Sequence, residues 1–100
     1  MAKLIMDVSH QLGLEEASQR LRDKLDSVRN EFGGQVSDFQ EEWRENELAF
    51  GFSAVGMKIA GIVAVEPANV RVAAELPFAA AMFKGLIEQR IRDELNAVLA

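Results

Sequence analysis

The stretch ELAFGFSAVGMKIAGIVAVE, residues 47–66, constrains the fold more than any other part of the chain, because apolar residues alternate along it with period two. Leu48, Phe50 and Phe52 share one side of a first strand. The second strand has its own inward set: Met57, Ile59, Gly61, Val63 and Val65. The opposite side carries Ala, Gly and Ser with a single Ile, where a one-sided sheet usually presents charged residues to water. We therefore expect a hairpin with one face in the core and an unusually flat outer face.

The rest of the chain supplies three more strands and two helices. Strands are predicted at 3–10, 36–43, 47–53, 57–66 and 70–76, and helices at about 14–32 and 78–99. The first helix has one apolar stripe at spacings of three and four: Leu14, Ala17, Leu21, Leu25, Val28 and Phe32. The second helix has its main stripe at Phe83, Ile87, Ile91, Leu95 and Val98.

Short links between the strands define the topology. Gly33 and Gly34 are expected to end the first helix, and Asn46 is expected to take the positive φ of the turn at 44–46. Tight hairpins make the last four strands antiparallel, and two amphipathic helices then cover one face of the sheet. The predicted fold is α+β, in the order β-α-β-β-β-β-α, with an antiparallel sheet of about five strands in a single domain spanning 1–100.

Composition excludes several classes of function. Sixteen acidic residues against eleven basic ones give a net charge of −5, which disfavours nucleic acid as a partner. The chain has no cysteine, which excludes disulfides and thiolate chemistry. No apolar run approaches the ~18 residues of a membrane span, and the N-terminal apolar run is too short for a signal peptide. A cytoplasmic location is the expectation.

Two apolar surfaces remain once the core is assigned. The first is the outer face of the sheet, and the second is an extra stripe about 100° from the main stripe of the last helix. The predicted contact residues are Ala49, Gly51, Ala60, Ile62, Ala64 and Ala73 on the sheet, with Phe78, Met82 and Leu86 on the helix. Two plainer interpretations stay open: a tolerated alanine-rich surface for the sheet, and a corner filler between helices for Met82 and Leu86.

Groups that could carry catalysis are sparse. His10 is the only histidine, and no second histidine or cysteine could complete a metal site with it, so a hydrogen-bonded structural role is predicted. The acidic residues near the first hairpin lack the glycine-centred spacing of a calcium loop and are predicted to be solvated: Asp38, Glu41, Glu42, Glu45 and Glu47. No enzymatic activity, cofactor or metal is predicted.

Several segments resemble the family of putative polyhydroxyalkanoic acid system proteins. They are SHQLGLEEA at 9–17, Trp43 with the turn at 43–46, GIVAV at 61–65, VRVAAELP at 70–77 and KGLIEQRIRDEL at 84–95. The resemblance covers nearly the whole chain, and its most specific part is K-x-x-I-E-x-x-I-x-x-x-L near the C-terminus. It implies association with the machinery of polyhydroxyalkanoate storage granules and brings no catalytic residues.

The expected function is therefore non-enzymatic binding to the granule surface or to a granule protein through the two apolar surfaces. One alternative is a helix-grip-like module that holds an acyl or hydroxyacyl ligand between Phe83, Ile87 and Phe50. The other is a structural homodimer whose sheet faces pair.

Overall fold

The computed structural model describes residues 2–32, 34, 37–54 and 56–100. It contains five strands, two α-helices and one 3₁₀ segment: β1 (Ala2–Ser9), α1 (Leu14–Phe32), β2 (Ser37–Arg44), β3 (Glu47–Ala54), β4 (Met57–Val65), β5 (Asn69–Leu76), the 3₁₀ segment (Phe78–Phe83) and α2 (Lys84–Leu99). The α+β prediction is confirmed, with both helices on one face of the sheet. The predicted helix stop at Gly33 and the predicted strand start at Val36 lie outside the described residues.

The sheet is antiparallel throughout, in the order β1-β5-β4-β3-β2. The hairpins from β2 to β5 place those strands in sequence order. The first strand lies next to the last one, where Leu4 pairs with Ala74 and Val8 with Val70. The α1 segment therefore carries the chain from one edge of the sheet, β1, to the other, β2.

The turn between β2 and β3 differs from its prediction. Glu45, and not Asn46, has the positive φ, at 56°. The backbone oxygen of Asn46 accepts a hydrogen bond from the Val65 N–H at 2.8 Å, and its Oδ1 accepts one from Ser18 Oγ at 3.3 Å. These two contacts orient Asn46 toward β4 and α1. The left-handed conformation of the turn is therefore taken by Glu45, the residue before it.

The core lies between the helices and the β1-β5-β4 part of the sheet. It contains residues from every one of these elements: Leu4, Met6, Val8, Ala17, Leu21, Val65, Val70, Val72, Ala74, Leu76, Ala80, Leu95 and Leu99. The helix-facing side of β2 and β3 is less covered, and Phe50 and Phe52 are only half-buried there. Phe52 stacks between Phe39 and Phe50, with ring centroids 6.3 and 6.5 Å apart.

The two α-helices are joined to each other and to β2 by charged side chains. Lys24 on α1 pairs with Glu94 on α2 at 2.9 Å. The guanidinium of Arg22 lies 4.0 Å from the Trp43 ring centroid, which is a cation–π contact. The first contact ties α1 to α2, and the second ties α1 to the edge strand β2.

The predicted helix over 78–99 is wrong in its first six residues, which form the 3₁₀ segment. The N–H of Ala80 bonds to the Pro77 oxygen at 2.9 Å, and Phe83 leaves the helical conformation with φ −102° and ψ 11°. Three residues per turn, in place of 3.6, change which side chains point inward. Ala80 is buried, whereas Phe83, predicted in the inward stripe, is 52% exposed.

Candidate contact surfaces

No element of the described residues covers the face of the sheet opposite the helices, which is called the open face below. Its middle is a row of residues that run across all five strands: Ile5, Ala73, Ile62, Ala49 and Glu42. Ile5 is 63% exposed and Ile62 is 43% exposed. This central row is apolar over four strands and ends in an acid at the β2 edge.

One flanking row lies toward the 3₁₀ end of the sheet. It consists of Lys3, Glu75, Ala60, Gly51 and Gln40, which follow one another across the strands by direct pairing. Opposite charges occupy β1 and β5, and small residues occupy β4 and β3. The flat middle of the open face therefore continues from the central row into this one.

The other flanking row lies toward the β4–β5 turn. It consists of Asp7, Arg71, Ala64, Glu47 and Arg44. Arg71 Nε lies 3.3 Å from Asp7 Oδ1, so the pair on β1 and β5 is an ion pair. Ala64 is half-buried between charged neighbours.

All six sheet residues predicted from sequence lie together on the open face. Ala49, Ala60, Ile62 and Ala73 are exposed, while Gly51 and Ala64 are half-buried. Sequence reasoning missed Ile5, which is more exposed than Ile62, the other large apolar side chain of the face. The period-two pattern that turns Leu4 and Met6 inward would have found it, because it turns Ile5 outward.

The second surface is on the 3₁₀ segment and the start of α2. Phe78 is 86% exposed, Met82 is 82% exposed and Leu86 is 72% exposed. The interpretation of Met82 and Leu86 as corner fillers between helices is therefore wrong. With Phe83, these residues are what we call the apolar patch: four exposed apolar side chains within nine residues of the chain, with no charged residue from Phe78 to Phe83.

Shallow depressions mark the open face. One, of about 420 Å³, is bordered by residues of β1, β5, β4 and β3, among them Ile5, Ile62 and Ala73. Phe50 borders this depression and a neighbouring one of about 300 Å³. Among the described residues, neither Phe83 nor Ile87 borders either depression. The three residues predicted to hold an acyl chain thus do not share these two cavities.

His10 is buried and uses both ring nitrogens. Its Nε2 donates to the Glu66 backbone oxygen at 2.9 Å, and its Nδ1 accepts from the Leu12 N–H at 3.2 Å. The His10 N–H also bonds to the Ala68 oxygen at 2.9 Å. The residue ties the end of β1 to the β4–β5 turn, as the structural interpretation predicted.

Four of the five acidic residues of the first hairpin are exposed as predicted, whereas Glu41 is half-buried. Glu41 pairs with Arg29 of α1, and Glu42 with Arg44 at 3.0 Å. Within the described parts of the chain, no three His, Asp or Glu side chains form a group that could hold a metal ion. Neither described helix is long and apolar enough to cross a membrane.

The fold and its surfaces define a class: an α+β domain with an open antiparallel sheet face and a separate exposed apolar patch. The sequence places it in a family. The chain matches the family of putative polyhydroxyalkanoic acid system proteins over residues 5–99, and it belongs to that family. No curated protein matches the chain.

Proposed function

We propose that this chain is a non-enzymatic cytoplasmic protein that associates with polyhydroxyalkanoate granules through the apolar patch. The observation that carries the proposal is that three large apolar side chains, Phe78, Met82 and Leu86, are exposed within one nine-residue segment. The chain that carries them belongs to this family. Large apolar side chains exposed together mark interaction sites more often than isolated ones do.

Burial of the side chains of the patch releases enough free energy to drive adsorption to a polyester. Burying a large apolar side chain contributes roughly 1.5–3 kcal/mol. Phe78, Met82, Phe83 and Leu86 are all more than half exposed, so most of that contribution is available on binding. The sum exceeds the lower estimates of the orientational cost of association, about 4 kcal/mol.

The chemistry of the patch also fits an uncharged polymer better than the open face does. The patch is free of charge over Phe78–Phe83, and methionine and phenylalanine adapt to an irregular apolar surface. The open face has charged residues on both sides of its central row, Asp7 and Arg71 on one side and Lys3 and Glu75 on the other, and a polyester offers no charges to complement them. The net charge of −5 would make coated granules repel one another within a screening length of about 8 Å.

The test is co-sedimentation of the purified protein with polyhydroxyalkanoate particles, with polystyrene beads of matched size as the reference surface. The double variant Met82→Glu/Leu86→Glu places two charges in the patch. We expect it to bind the particles at least about tenfold more weakly, since each charged side chain would have to be desolvated.

The matched control is Asn96→Glu/Ala97→Glu, which adds two charges at exposed positions of the same helix outside the patch. It should bind like the wild type. Equal binding by the patch variant, with its circular dichroism unchanged, would contradict the patch as the contact site. Absence of saturable binding by the wild type would contradict granule-surface association itself and would favour contact with a granule protein.

A further inference from the structure

The charges on the open face invert across its central row. On one side of the row, β1 carries Asp7 and β5 carries Arg71. On the other side, β1 carries Lys3 and β5 carries Glu75. Ile5 and Ala73 lie between the two pairs, so the acid–base order on the two strands reverses over a distance of four residues.

This inversion is what a two-fold axis along the central row requires. Such an axis exchanges the two flanking rows when one open face lies on another. Asp7 then meets Lys3 of the second copy, and Arg71 meets Glu75 of the second copy. If the order were the same on both sides, like charges would meet at all four positions.

We propose that the open face is the interface of a homodimer in which two sheets pack face to face about this axis. The central row packs on its own copy, with Ile5 and Ile62 as its largest side chains. Ala49, Ala60 and Gly51 surround them, and small residues let the two backbones approach closely. Aligned sheets of this kind are the usual way in which two sheets pack.

The size of the face supports a second copy as the occupant. Five strands ~4.8 Å apart and eight residues long at ~3.3 Å outline roughly 600 Å² in projection. Two such faces together outline about 1,200 Å², which is the lower end of the range for specific, stable interfaces. The Glu42 of each copy lies on the axis at the β2 edge, opposite the second Glu42, where Arg44 of its own chain pairs with it at 3.0 Å.

The two sheet edges fit a second copy less well. At the β1 edge, Arg92 of α2 donates to the Asp7 backbone oxygen at 3.3 Å. At the β2 edge, the register shifts between Ser37 and Gln40, and Asp38 has a φ of 53°. Irregularity of this kind disfavours strand addition.

The inference does not depend on the granule proposal, because the apolar patch lies outside the open face. A dimer formed by the open face would carry two patches, one at each end, because the axis exchanges the two ends of the sheet. Polymer binding and dimer formation are therefore tested in separate experiments, and either proposal can be wrong while the other is right.

The experiment is sedimentation equilibrium of the full chain over micromolar concentrations, with charge-swapped variants. Lys3→Glu/Glu75→Lys keeps the cross-strand pair and the net charge but gives both sides of the row the same acid–base order. We expect the dimer of this variant to dissociate at least about tenfold more readily, because like charges now meet.

Adding Asp7→Arg/Arg71→Asp to that variant inverts the other side too and should restore dimerisation. The expected wild-type mass is twice the 11.1 kDa of the chain. The proposal would be overturned if the wild type were a monomer at about 100 μM, a concentration at which a standard interface holds most chains as dimers. A dimer that the first swap leaves unchanged would also overturn it and would place the contact outside the open face.

Discussion

The ring of Phe50 lies over Gly61, its direct partner across the β3–β4 pair. A Cβ placed on Gly61 would come within 2.8 Å of Phe50 Cζ and within 2.6 Å of the Ala73 backbone oxygen. The glycine is therefore a packing requirement of the half-buried aromatic row, since only a residue without a side chain lets the ring and the neighbouring strand come this close.

Gly61→Ala should lower the free energy of unfolding by about 1–3 kcal/mol, because a backbone atom must move to admit the methyl group. Gly51→Ala is the matched control in the paired strand, where the nearest atom to a new Cβ is 3.8 Å away. It should be neutral or stabilising by up to ~1 kcal/mol. Urea denaturation at one protein concentration, low enough to keep both variants monomeric, measures both, and equal stability of the two variants would contradict the close contact.

His10→Ala should destabilise the fold by about 1–3 kcal/mol, because the Leu12 N–H and the Glu66 oxygen lose their partner in a buried site. Ser9→Ala, at the exposed neighbouring position, should leave stability nearly unchanged. The bonds also predict a neutral imidazole protonated at Nε2, which ¹⁵N NMR of the ring can read directly. A ring protonated only at Nδ1 would contradict the bonding described here.

The Lys24–Glu94 pair predicts a dependence of stability on pH. The ammonium of Lys24 bonds to the Glu94 carboxylate and lowers its pKa below the ordinary 4.5, and Arg90 adds to this effect. A lowered pKa stabilises the folded state above pH 4.5, and this contribution is lost as the pH falls through the lower folded value. The pair is partly exposed, so the effect is small and weakens with salt.

Replacing Lys24 by Met should therefore reduce stability near neutral pH and flatten its decline between pH 5 and pH 3. Denaturation midpoints of the wild type and of Lys24→Met across this range measure the difference. Parallel curves for the two proteins would show that Lys24 does not lower the pKa of Glu94.

Periodicity predicted the strands and their faces well, since each inward set found in the sequence faces the helices. Applied to β1, the same period-two rule also turns Ile5 outward, although Ile5 was not among the predicted contact residues. The pairing of β1 with β5 could not be predicted from the sequence. It depends on which edge of the β2–β5 sheet remains free to pair with β1 once α1 has packed. The register that aligns Ile5, Ala73 and Ile62 in one row likewise follows from tertiary pairing.

The 3₁₀ segment marks the other limit of periodicity. A stripe drawn at 3.6 residues per turn placed Phe83 in the core, but the chain follows a tighter helix until Lys84. The sequence showed Phe78, Met82 and Leu86 as a surplus over the main stripe but left open whether Met82 and Leu86 fill a corner between the helices, and the structure shows all three exposed. What these side chains contact depends on the surface of a partner, which the sequence of this chain alone does not specify.

The most direct test of the granule contact is hydroxyl-radical footprinting of the protein bound to polyhydroxyalkanoate particles. Met82 is highly exposed and its thioether is readily oxidised, whereas Trp43 on the distant edge strand β2 serves as the internal reference. The account predicts that particles slow the oxidation of Met82 severalfold while Trp43 reacts at its former rate. Oxidation of Met82 at an unchanged rate in fully bound protein would contradict it.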